Sequence, residues 1–278
     1  MKCVAAVQMA SGPNLSANLL EAGRHIAEAA DIGAGLVVLP ENFNLMPKDD
    51  CERVAAAEAD GSGSTQDFLA EQAARYGIWL VGGTIPLRSP DPARVYAACL
   101  VYGPDGNRVA RYDKIHLFDV HLDETDESYH ESASTVHGER VVTVDTDLGR
   151  MGLAVCYDLR FPELFRALLD RGAEILALPA AFTASTGRAH WEPLLRARAI
   201  ENLSYLVAAA QGGYHVSGRE TYGHSMIVDP WGVVVTERER GVGAVHAEID
   251  LARLRRVRRS FPSIDHRRLS DTAVVEVS

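Results

Sequence analysis

The stretch MGLAVCYDLRFPELFRALLDRGAEILALPAA (residues 151–181) combines two patterns of apolar residues. A continuous apolar run ends at Cys156, and a second one covers 174–181; short runs of this kind are typical of buried strands. Between them, residues 162–173 have the spacing of a helix. Pro162 falls in the first turn of this helix, where its missing N–H costs no hydrogen bond. The stretch therefore predicts a strand, a helix and a second strand.

The rest of the chain repeats this alternation in both directions. Strands are predicted at 3–9, 35–41, 78–85, 205–211 and 243–251, helices at 14–30, 64–77 and 190–205, and hairpins at 97–114 and 225–237. Two similar halves of this kind would face each other across paired sheets, with helices outside. The acidic, non-periodic segment 121–132 is expected to be a loop. No linker rich in Pro, Gly or Ser divides the chain, so a single domain over 1–278 is expected.

The composition argues against several classes of protein. The 278 residues are 47% hydrophobic and 24% charged, close to the average of soluble globular proteins. A net charge of -10 argues against a nucleic-acid partner, because phosphates repel an acidic surface. No apolar run approaches the roughly 20 residues of a membrane span. The four cysteines lack the paired spacing of zinc or redox motifs, and scattered thiols favour a cytoplasmic location.

Three reactive residues follow strand-like runs: Glu41, Lys114 and Cys156. A thiol is a weak nucleophile until it is deprotonated, and Glu41 could accept its proton. Lys114 could favour the thiolate and stabilise an oxyanion, as could the backbone N–H of Tyr157. Taken singly, each residue has a common alternative: a surface carboxylate, a solvated lysine or a cysteine that fills the core.

Three sequence blocks carry a family resemblance. LPENF (39–43), YDKIHLFDV (112–120) and GLAVCYDLRFPEL (152–164) resemble the signature blocks of the nitrilase superfamily of carbon–nitrogen hydrolases, in the same order and over essentially the whole chain. The resemblance implies an α/β fold, a four-layer α-β-β-α sandwich. It also implies a catalytic Glu-Lys-Cys triad made of the three residues above, with no metal and no organic cofactor.

Further blocks, at 130–132, 181–202 and 222–232, are similar to the Nit-type amidases of this superfamily. Such enzymes hydrolyse the amide bond of a small carboxylic or α-keto acid amide through a thioester acyl-enzyme, releasing ammonia or an amine. The resemblance places a second catalytic glutamate at Glu131 and implies a homodimer or larger homo-oligomer. Omega-amidase, another aliphatic amidase, nitrilase and carbamoylase activities are alternatives within the superfamily.

The carboxylate of such a substrate requires cationic or hydrogen-bonding partners. Arg160, four residues after the cysteine, is one candidate, and Phe182 and Thr183, after the 174–181 strand, are others. Arg160 could equally form an ion pair with a neighbouring carboxylate.

Two interpretations from other classes remain open. A Cys–His hydrolase or transferase would use His190 or His224 as its base and would not need Lys114. A scaffold or interaction protein would retain the fold with an idle site, although all three reactive positions are intact.

Overall fold

Strands and helices alternate along the chain in a computed structural model that describes residues 2–123 and 126–268. Met1, Glu124 and Thr125 of the acidic segment, and residues 269–278 of the expected domain lie outside the described residues. The strands are β1 (Lys2–Gln8), β2 (Ala34–Val38), β3 (Trp79–Val81), β4 (Ile85–Arg88), β5 (Val95–Tyr102), β6 (Arg108–Asp113), β7 (Asp119–Leu122), β8 (Glu127–His130), β9 (Thr135–Val136), β10 (Thr143–Thr146), β11 (Gly149–Leu153), β12 (Ile175–Ala180), β13 (Tyr205–Ala210), β14 (Gly212–Tyr214), β15 (Glu220–Tyr222), β16 (Ser225–Val228), β17 (Val234–Arg238) and β18 (Gly243–Ile249). The helices are α1 (Leu15–Asp31), α2 (Asp50–Ala55), α3 (Ser64–Tyr76), α4 (Pro162–Asp170), α5 (Ala184–Asn202) and α6 (Leu251–Ser260).

Most strands belong to two large sheets, one for each half of the chain. The first sheet has the order β18-β1-β2-β3-β5-β4, with β6 and β9 also paired to β5, and the second has the order β10-β11-β12-β13-β16-β17. The strands at the centre of each sheet are parallel, in β1-β2-β3 and in β11-β12-β13. Antiparallel strands flank both centres, and β18 returns from the second half to pair with β1. The two halves are therefore similar, as expected.

Alternate residues of the central strands face different apolar layers. In β1, Val4 and Ala6 belong to the core shared with the second sheet, whereas Ala5 and Val7 belong to the core shared with α1 and α3. All four side chains are fully buried, which explains why the strand sequence is continuously apolar. On the far side of the second sheet, residues of α4 and α5 such as Trp191 pack onto its strands. The layer order is helix, sheet, sheet, helix, so the predicted fold class is confirmed.

The acidic segment differs from its prediction. Residues predicted as a loop form the hairpin of β7 and β8, with Asp119 paired to His130 and Leu122 to Glu127, followed by a short 3₁₀ turn at Glu131–Ala133. Each strand has only four residues, and none is fully buried. Such a short, solvent-facing hairpin keeps its acidic residues hydrated and carries little apolar signal, so the loop prediction was wrong.

Three further elements depart from the sequence expectation. Helix α5 begins at Ala184 rather than at 190, because Thr183 takes the extended N-cap conformation and its carbonyl accepts the Gly187 N–H at 2.8 Å. Helix α2 and the β14–β15 hairpin were not predicted. In the described part of the chain, none of the helices combines the length and apolar character that a bilayer crossing requires.

Candidate active site

The three predicted reactive side chains meet at one end of the two sheets. Glu41 lies three residues beyond β2, Lys114 directly follows β6, and Cys156 lies three residues beyond β11. Strands β2 and β6 belong to the first sheet and β11 to the second. The site therefore forms where the two halves of the chain meet, on segments anchored by rigid strands.

Lys114 is held between two carboxylates. Its Nζ donates to Glu41 Oε1 at 2.8 Å and to both oxygens of Glu131, Oε1 at 3.0 Å and Oε2 at 2.8 Å. The second oxygen of Glu41 accepts the Ala181 N–H at 2.8 Å, and Glu131 Oε2 also accepts the Phe118 N–H at 2.7 Å. Lys114 and Glu41 are almost completely buried, and the Glu131 side chain is 11% exposed. The ammonium group thus has one fixed orientation.

Burial and charge together set the resting protonation states. Burial raises the pKa of Glu41, but the charge and hydrogen bond of Lys114 and a hydrogen bond from the Cys156 thiol hold that pKa below its ordinary value. Burial lowers the pKa of Lys114, but the charges of Glu131 and Glu41 raise it well above the usual range. Burial and the Glu41 charge raise the pKa of Cys156 and outweigh the opposite effect of Lys114. At neutral pH the site holds a carboxylate, an ammonium and a protonated thiol.

Cys156 occupies a backbone conformation that is rare outside glycine. Its φ is 48°, in the left-handed region, and it follows the extended Val155. This conformation costs about 1–3 kcal/mol and persists only where the surroundings enforce it. The chain reverses sharply here, from β11 into the 3₁₀ turn Cys156–Arg160. The thiol thereby lies at the boundary between the hydrophobic core and a cavity.

The fully buried carboxylate of Asp158 supplies part of that enforcement. Its Oδ2 accepts the Val155 N–H at 2.8 Å and the Tyr112 hydroxyl at 2.6 Å. Its Oδ1 accepts the His116 N–H at 3.0 Å and lies 2.7 Å from His116 Nδ1. Tyr112 and His116 lie two residues before and after Lys114. Asp158 therefore joins the segment that carries the lysine to the turn that carries the cysteine.

A cavity of about 210 Å³ opens above these groups. It is lined by the predicted residues Glu41, Lys114, Glu131, Cys156, Tyr157, Phe182 and Thr183. A cavity of this size suits a small molecule. The part of the chain that the structure describes contains no group of three or more His, Cys, Asp or Glu side chains arranged to bind a metal.

Arg160 is the one predicted site residue that does not line the cavity. Its guanidinium lies over the rings of Phe182 and Tyr157, at 4.9 and 5.8 Å from their centroids, and its Nη1 is 3.2 Å from His190 Nδ1. It forms no ion pair with a carboxylate of the described residues. Arg160 thus packs against two residues that line the cavity and does not line it itself.

The two histidines of the alternative Cys–His interpretation also lie away from the cavity lining. His190 contacts Arg160, and His224 Nδ1 lies 2.6 Å from Glu237 Oε1, with its ring stacked on Tyr222 at 4.0 Å between centroids. These contacts are structural hydrogen bonds and stacking.

Several residues that line the cavity were missed from sequence. Among them are Arg53 of α2, Tyr129 of β8 and Arg219 in the turn between β14 and β15. All three belong to elements that were not predicted. The only available signal was the alternation in ESYH (127–130), which places Tyr129 on the half-buried side of its strand.

Comparison with known proteins gives consistent matches. The carbon–nitrogen hydrolase family matches residues 3–259. A deaminated glutathione amidase from Synechocystis sp. is 43% identical over 266 residues, which cover 95% of this chain and 97% of that protein. The crystal structure of the Caenorhabditis elegans NitFhit protein has a TM-score of 0.89 and 40% identity over 96% of this chain, which spans only 65% of that longer one. Saccharomyces cerevisiae Nit3, described as a member of branch 10 of the nitrilase superfamily, has a TM-score of 0.86 and 33% identity, covering 96% of this chain and 97% of its own.

The sandwich fold and these similarities define a hydrolase that acts on carbon–nitrogen bonds of amides. The chain belongs to the carbon–nitrogen hydrolase family of the nitrilase superfamily, and it is an amidase. The family resemblance found in the sequence is confirmed, and so is the predicted enzyme class.

Proposed function

We propose that Glu41, Lys114, Glu131 and Cys156 are the catalytic residues of this amidase. The observation that carries the proposal is the position of the Glu41 carboxylate, which accepts a hydrogen bond from the Lys114 ammonium at 2.8 Å and lines the same cavity as Cys156. A base and a cation thus share a buried contact, and a nucleophile lines the same cavity. These groups can supply the nucleophile, the base and the oxyanion stabiliser that hydrolysis of an amide through a covalent intermediate uses.

In the first half-reaction, Glu41 accepts the thiol proton while Cys156 Sγ forms a bond to the amide carbon. The carbonyl π electrons move to oxygen, and the resulting oxyanion is stabilised by the Lys114 ammonium and the Tyr157 backbone N–H. That N–H lies at the start of a 3₁₀ turn, where amides have no acceptor within the turn. The C–N bond then breaks, the departing amine takes the proton from Glu41, and a thioester remains on Cys156.

In the second half-reaction, Glu41 removes a proton from water as the water oxygen attacks the thioester carbon. The C–S bond breaks, the acid product leaves, and the proton returns to the sulfur of Cys156. Glu131 acts through Lys114: it accepts from Nζ with both oxygens and so holds the ammonium towards the oxyanion. This order of events agrees with a thiol that is protonated in the free enzyme. The proton leaves the sulfur only when the sulfur attacks the carbonyl carbon of a bound substrate.

The proposed substrate is a small carboxylic or α-keto acid amide, with deaminated glutathione as the first candidate. The relative from Synechocystis sp. carries the name deaminated glutathione amidase and is similar to this chain over nearly its whole length. A cavity of about 210 Å³ suits the acyl part of such a molecule. Omega-amidase, other aliphatic amidase, nitrilase and carbamoylase specificities remain the alternatives, because they would use the same four residues.

A substrate panel tests both the residues and the specificity. Product release is measured with deaminated glutathione, α-ketoglutaramate, a simple aliphatic amide and a ureido compound, each with the wild-type chain and with Cys156→Ala. We expect the highest kcat/KM with deaminated glutathione and no turnover by the variant. A higher kcat/KM with another compound would overturn the proposed substrate, and turnover by Cys156→Ala would overturn the proposed nucleophile.

We also propose that residues 1–278 form one domain that works in the cytoplasm, without nucleic-acid or membrane partners, as a homodimer or larger homo-oligomer. The net charge of -10 and four unpaired cysteines support the first part. Self-association is supported by an exposed apolar cluster of Ile200, Trp231, Val233 and Phe261, each about half exposed. Size-exclusion chromatography of the wild type and of Trp231→Ser tests this, since the variant should elute as a smaller species.

A further inference from the structure

A second space, an outer groove of about 510 Å³, borders the catalytic cavity. The two spaces have five lining residues in common. These residues come from three separate elements: Asp50 and Arg53 of α2, Ser128 and Tyr129 of β8, and Arg219 of the β14–β15 turn. These five residues are called the neck below. A substrate that extends from the catalytic cavity towards the groove would contact the neck, so the charges there would act on it.

Arg219 is fixed in the neck beside the catalytic base. Its Nη2 donates to the Ala181 carbonyl, and its guanidinium carbon lies 5.2 Å from the centroid of the Tyr129 ring. The N–H of the same Ala181 donates to Glu41 Oε2 at 2.8 Å. A single residue of the backbone therefore connects the arginine to the base. The remaining N–H groups of the guanidinium form no side-chain hydrogen bond with the described residues.

The turn that carries Arg219 is anchored at several points. His215 Nδ1 lies 2.9 Å from the Ser11 carbonyl oxygen, and its Nε2 lies 2.7 Å from Thr221 Oγ1. The Tyr222 N–H donates to the Phe182 carbonyl at 2.9 Å. The arginine is thus pre-positioned, and little conformational entropy would be lost when it binds a ligand.

The neck carries a net positive charge, because it holds two arginines and only one acid, Asp50. Within residues 2–123 and 126–268, Arg219 forms no ion pair, and the nearest carboxylate oxygen to Arg53, on Asp50, is 3.8 Å from Nε, beyond hydrogen-bond distance. By contrast, Arg111 and Arg150, outside the cavity, each contact a carboxylate oxygen, at 2.8 and 2.6 Å. A guanidinium is always charged, and its planar fork matches the two oxygens of a carboxylate.

We infer that the neck is a carboxylate-binding subsite, with Arg219 as its principal ligand and Arg53 as a second cation. The inference rests on the proposed amidase function, which it makes more specific. The enzyme selects amides that carry a carboxylate at a distance from the bond that is cleaved. Arg219, and not Arg160, takes the role that such a substrate demands.

Two matched pairs of amides test the subsite, each with a carboxylate replaced by an isopropyl group of similar shape. Succinamate and 4-methylpentanamide differ on the acyl side of the amide bond. N-butanoylglycine and N-isobutylbutanamide differ on the amine side. For each pair, the ratio of kcat/KM for the charged amide to that for the neutral amide is measured with the wild type, Arg219→Gln, Arg219→Lys and the control Arg24→Gln, whose side chain on α1 is 59% exposed.

We expect the wild type to prefer the charged member of at least one pair. Arg219→Gln should lower that ratio about 10- to 100-fold, as expected for a lost hydrogen bond to a charged group. Arg219→Lys should give an intermediate ratio, because it keeps the charge and loses the fork. Arg24→Gln should retain the wild-type ratio. The responding pair identifies the side of the amide that carries the carboxylate.

Two results would overturn the inference, and they are distinguishable. In the first, the wild type turns the amides over, and Arg219→Gln has the wild-type ratio of charged to neutral kcat/KM in both pairs. This result would exclude the subsite and leave the amidase function intact. No turnover of any of the four amides by the wild type would contradict the proposed function itself, and the subsite with it. A variant that fails to fold is recognised by circular dichroism, and Arg219→Lys then decides the question.

Discussion

The floor and the neck of the cavity are held by different kinds of contact. The floor consists of Glu41, Lys114, Glu131 and Cys156, which are buried or nearly so, and its ammonium–carboxylate contacts measure 2.8–3.0 Å. The neck belongs to α2, to the short strand β8 and to the β14–β15 turn. Neither α2 nor β8 contains a fully buried residue.

This difference separates two tasks of the enzyme. Charges in the floor are shielded from water, so their mutual interactions are strong. Removing one charged group therefore leaves its partner buried and unpaired, which is strongly destabilising. Side chains of the neck are partly hydrated, and replacing one changes the fit of a substrate more than the fold. We therefore expect floor variants to lose the reaction and neck variants to lose selectivity.

The largest effect is expected from Cys156→Ala. Without the sulfur no thioester can form, and kcat should fall on the order of 10⁴-fold or more, as for other covalent nucleophiles. Fold and thermal stability should change little, and relief of the left-handed backbone strain is not expected because alanine has the same Cβ. Steady-state kinetics and circular dichroism check both statements. Cys51→Ala, at an exposed cysteine, is the matched control and should keep full activity.

Lys114→Met should follow, with losses in both rate and stability. Removal of one oxyanion donor costs on the order of 10²–10³ in kcat. The variant also leaves two buried carboxylates facing each other, and breaking a buried ion pair in this way costs about 3–5 kcal/mol of unfolding free energy. Urea denaturation measures that cost. The control Lys2→Met breaks a solvent-exposed ion pair with Asp147 and should keep its activity. Equal losses of unfolding free energy in the two variants would contradict a larger contribution from the buried ion pair of the floor.

Asp158→Asn tests whether the floor depends on its link between the two halves. In place of either oxygen, an amide NH₂ would face a backbone N–H, that of Val155 or that of His116, donor against donor, and the turn would shift relative to Lys114. We expect kcat to fall about 10- to 100-fold with little change in KM, because a misplaced reacting group affects the chemical step. Asp145→Asn, on the surface, is the control. A fall in kcat accompanied by a rise in KM of similar size would instead indicate damage to the neck.

Tyr129→Leu should show the smaller effect of a neck residue. The variant removes the ring that lies against the Arg219 guanidinium, a contact worth about 0.5–1 kcal/mol at a hydrated site. We expect KM for a carboxylate-bearing amide to rise about 2- to 5-fold while kcat is largely retained. A kcat loss as large as that of Asp158→Asn would contradict the division between floor and neck.

The smallest expected effect is a change in how the free energy of unfolding depends on pH, which reports the pKa of Glu41 in the floor. The pKa of Glu41 is lower in the folded chain than its ordinary value of 4.5, chiefly because Lys114 outweighs the effect of burial. Its contribution to stability is therefore fully present above the unfolded pKa and is lost as pH falls through the folded pKa. In Glu41→Gln, the free energy of unfolding should fall less steeply below about pH 5, because the variant takes up at most one proton fewer on unfolding than the wild type. An unchanged slope in acid would contradict the lowered pKa.

Three of the four floor residues could be proposed from the sequence pattern itself, whereas the residues of the neck could not. Glu41 and Cys156 each follow an apolar strand, and Lys114 follows the more polar hairpin strand β6, so all three are anchored at the ends of strands. Glu131 was found only through the family resemblance, since nothing local separates it from other acids of its segment.

The neck could not be predicted because its position depends on tertiary contacts. The turn around Arg219 is polar and rich in glycine, and its place over the cavity depends on the hydrogen bond from Tyr222 to Phe182, forty residues apart. Arg160 was expected to bind substrate because it is close to the cysteine in sequence. Its side chain instead turns towards Phe182 and His190, a direction that sequence spacing does not encode.

The most direct test of the central claim is to observe the acyl group on Cys156 itself. A single turnover of an amide is quenched in acid at successive times, and the peptide that contains Cys156 is weighed by mass spectrometry. A transient gain equal to the acyl group, appearing with the free amine and disappearing as the acid is formed, is the predicted result. Complete cleavage of the amide while that peptide stays unmodified at every time point would contradict the account.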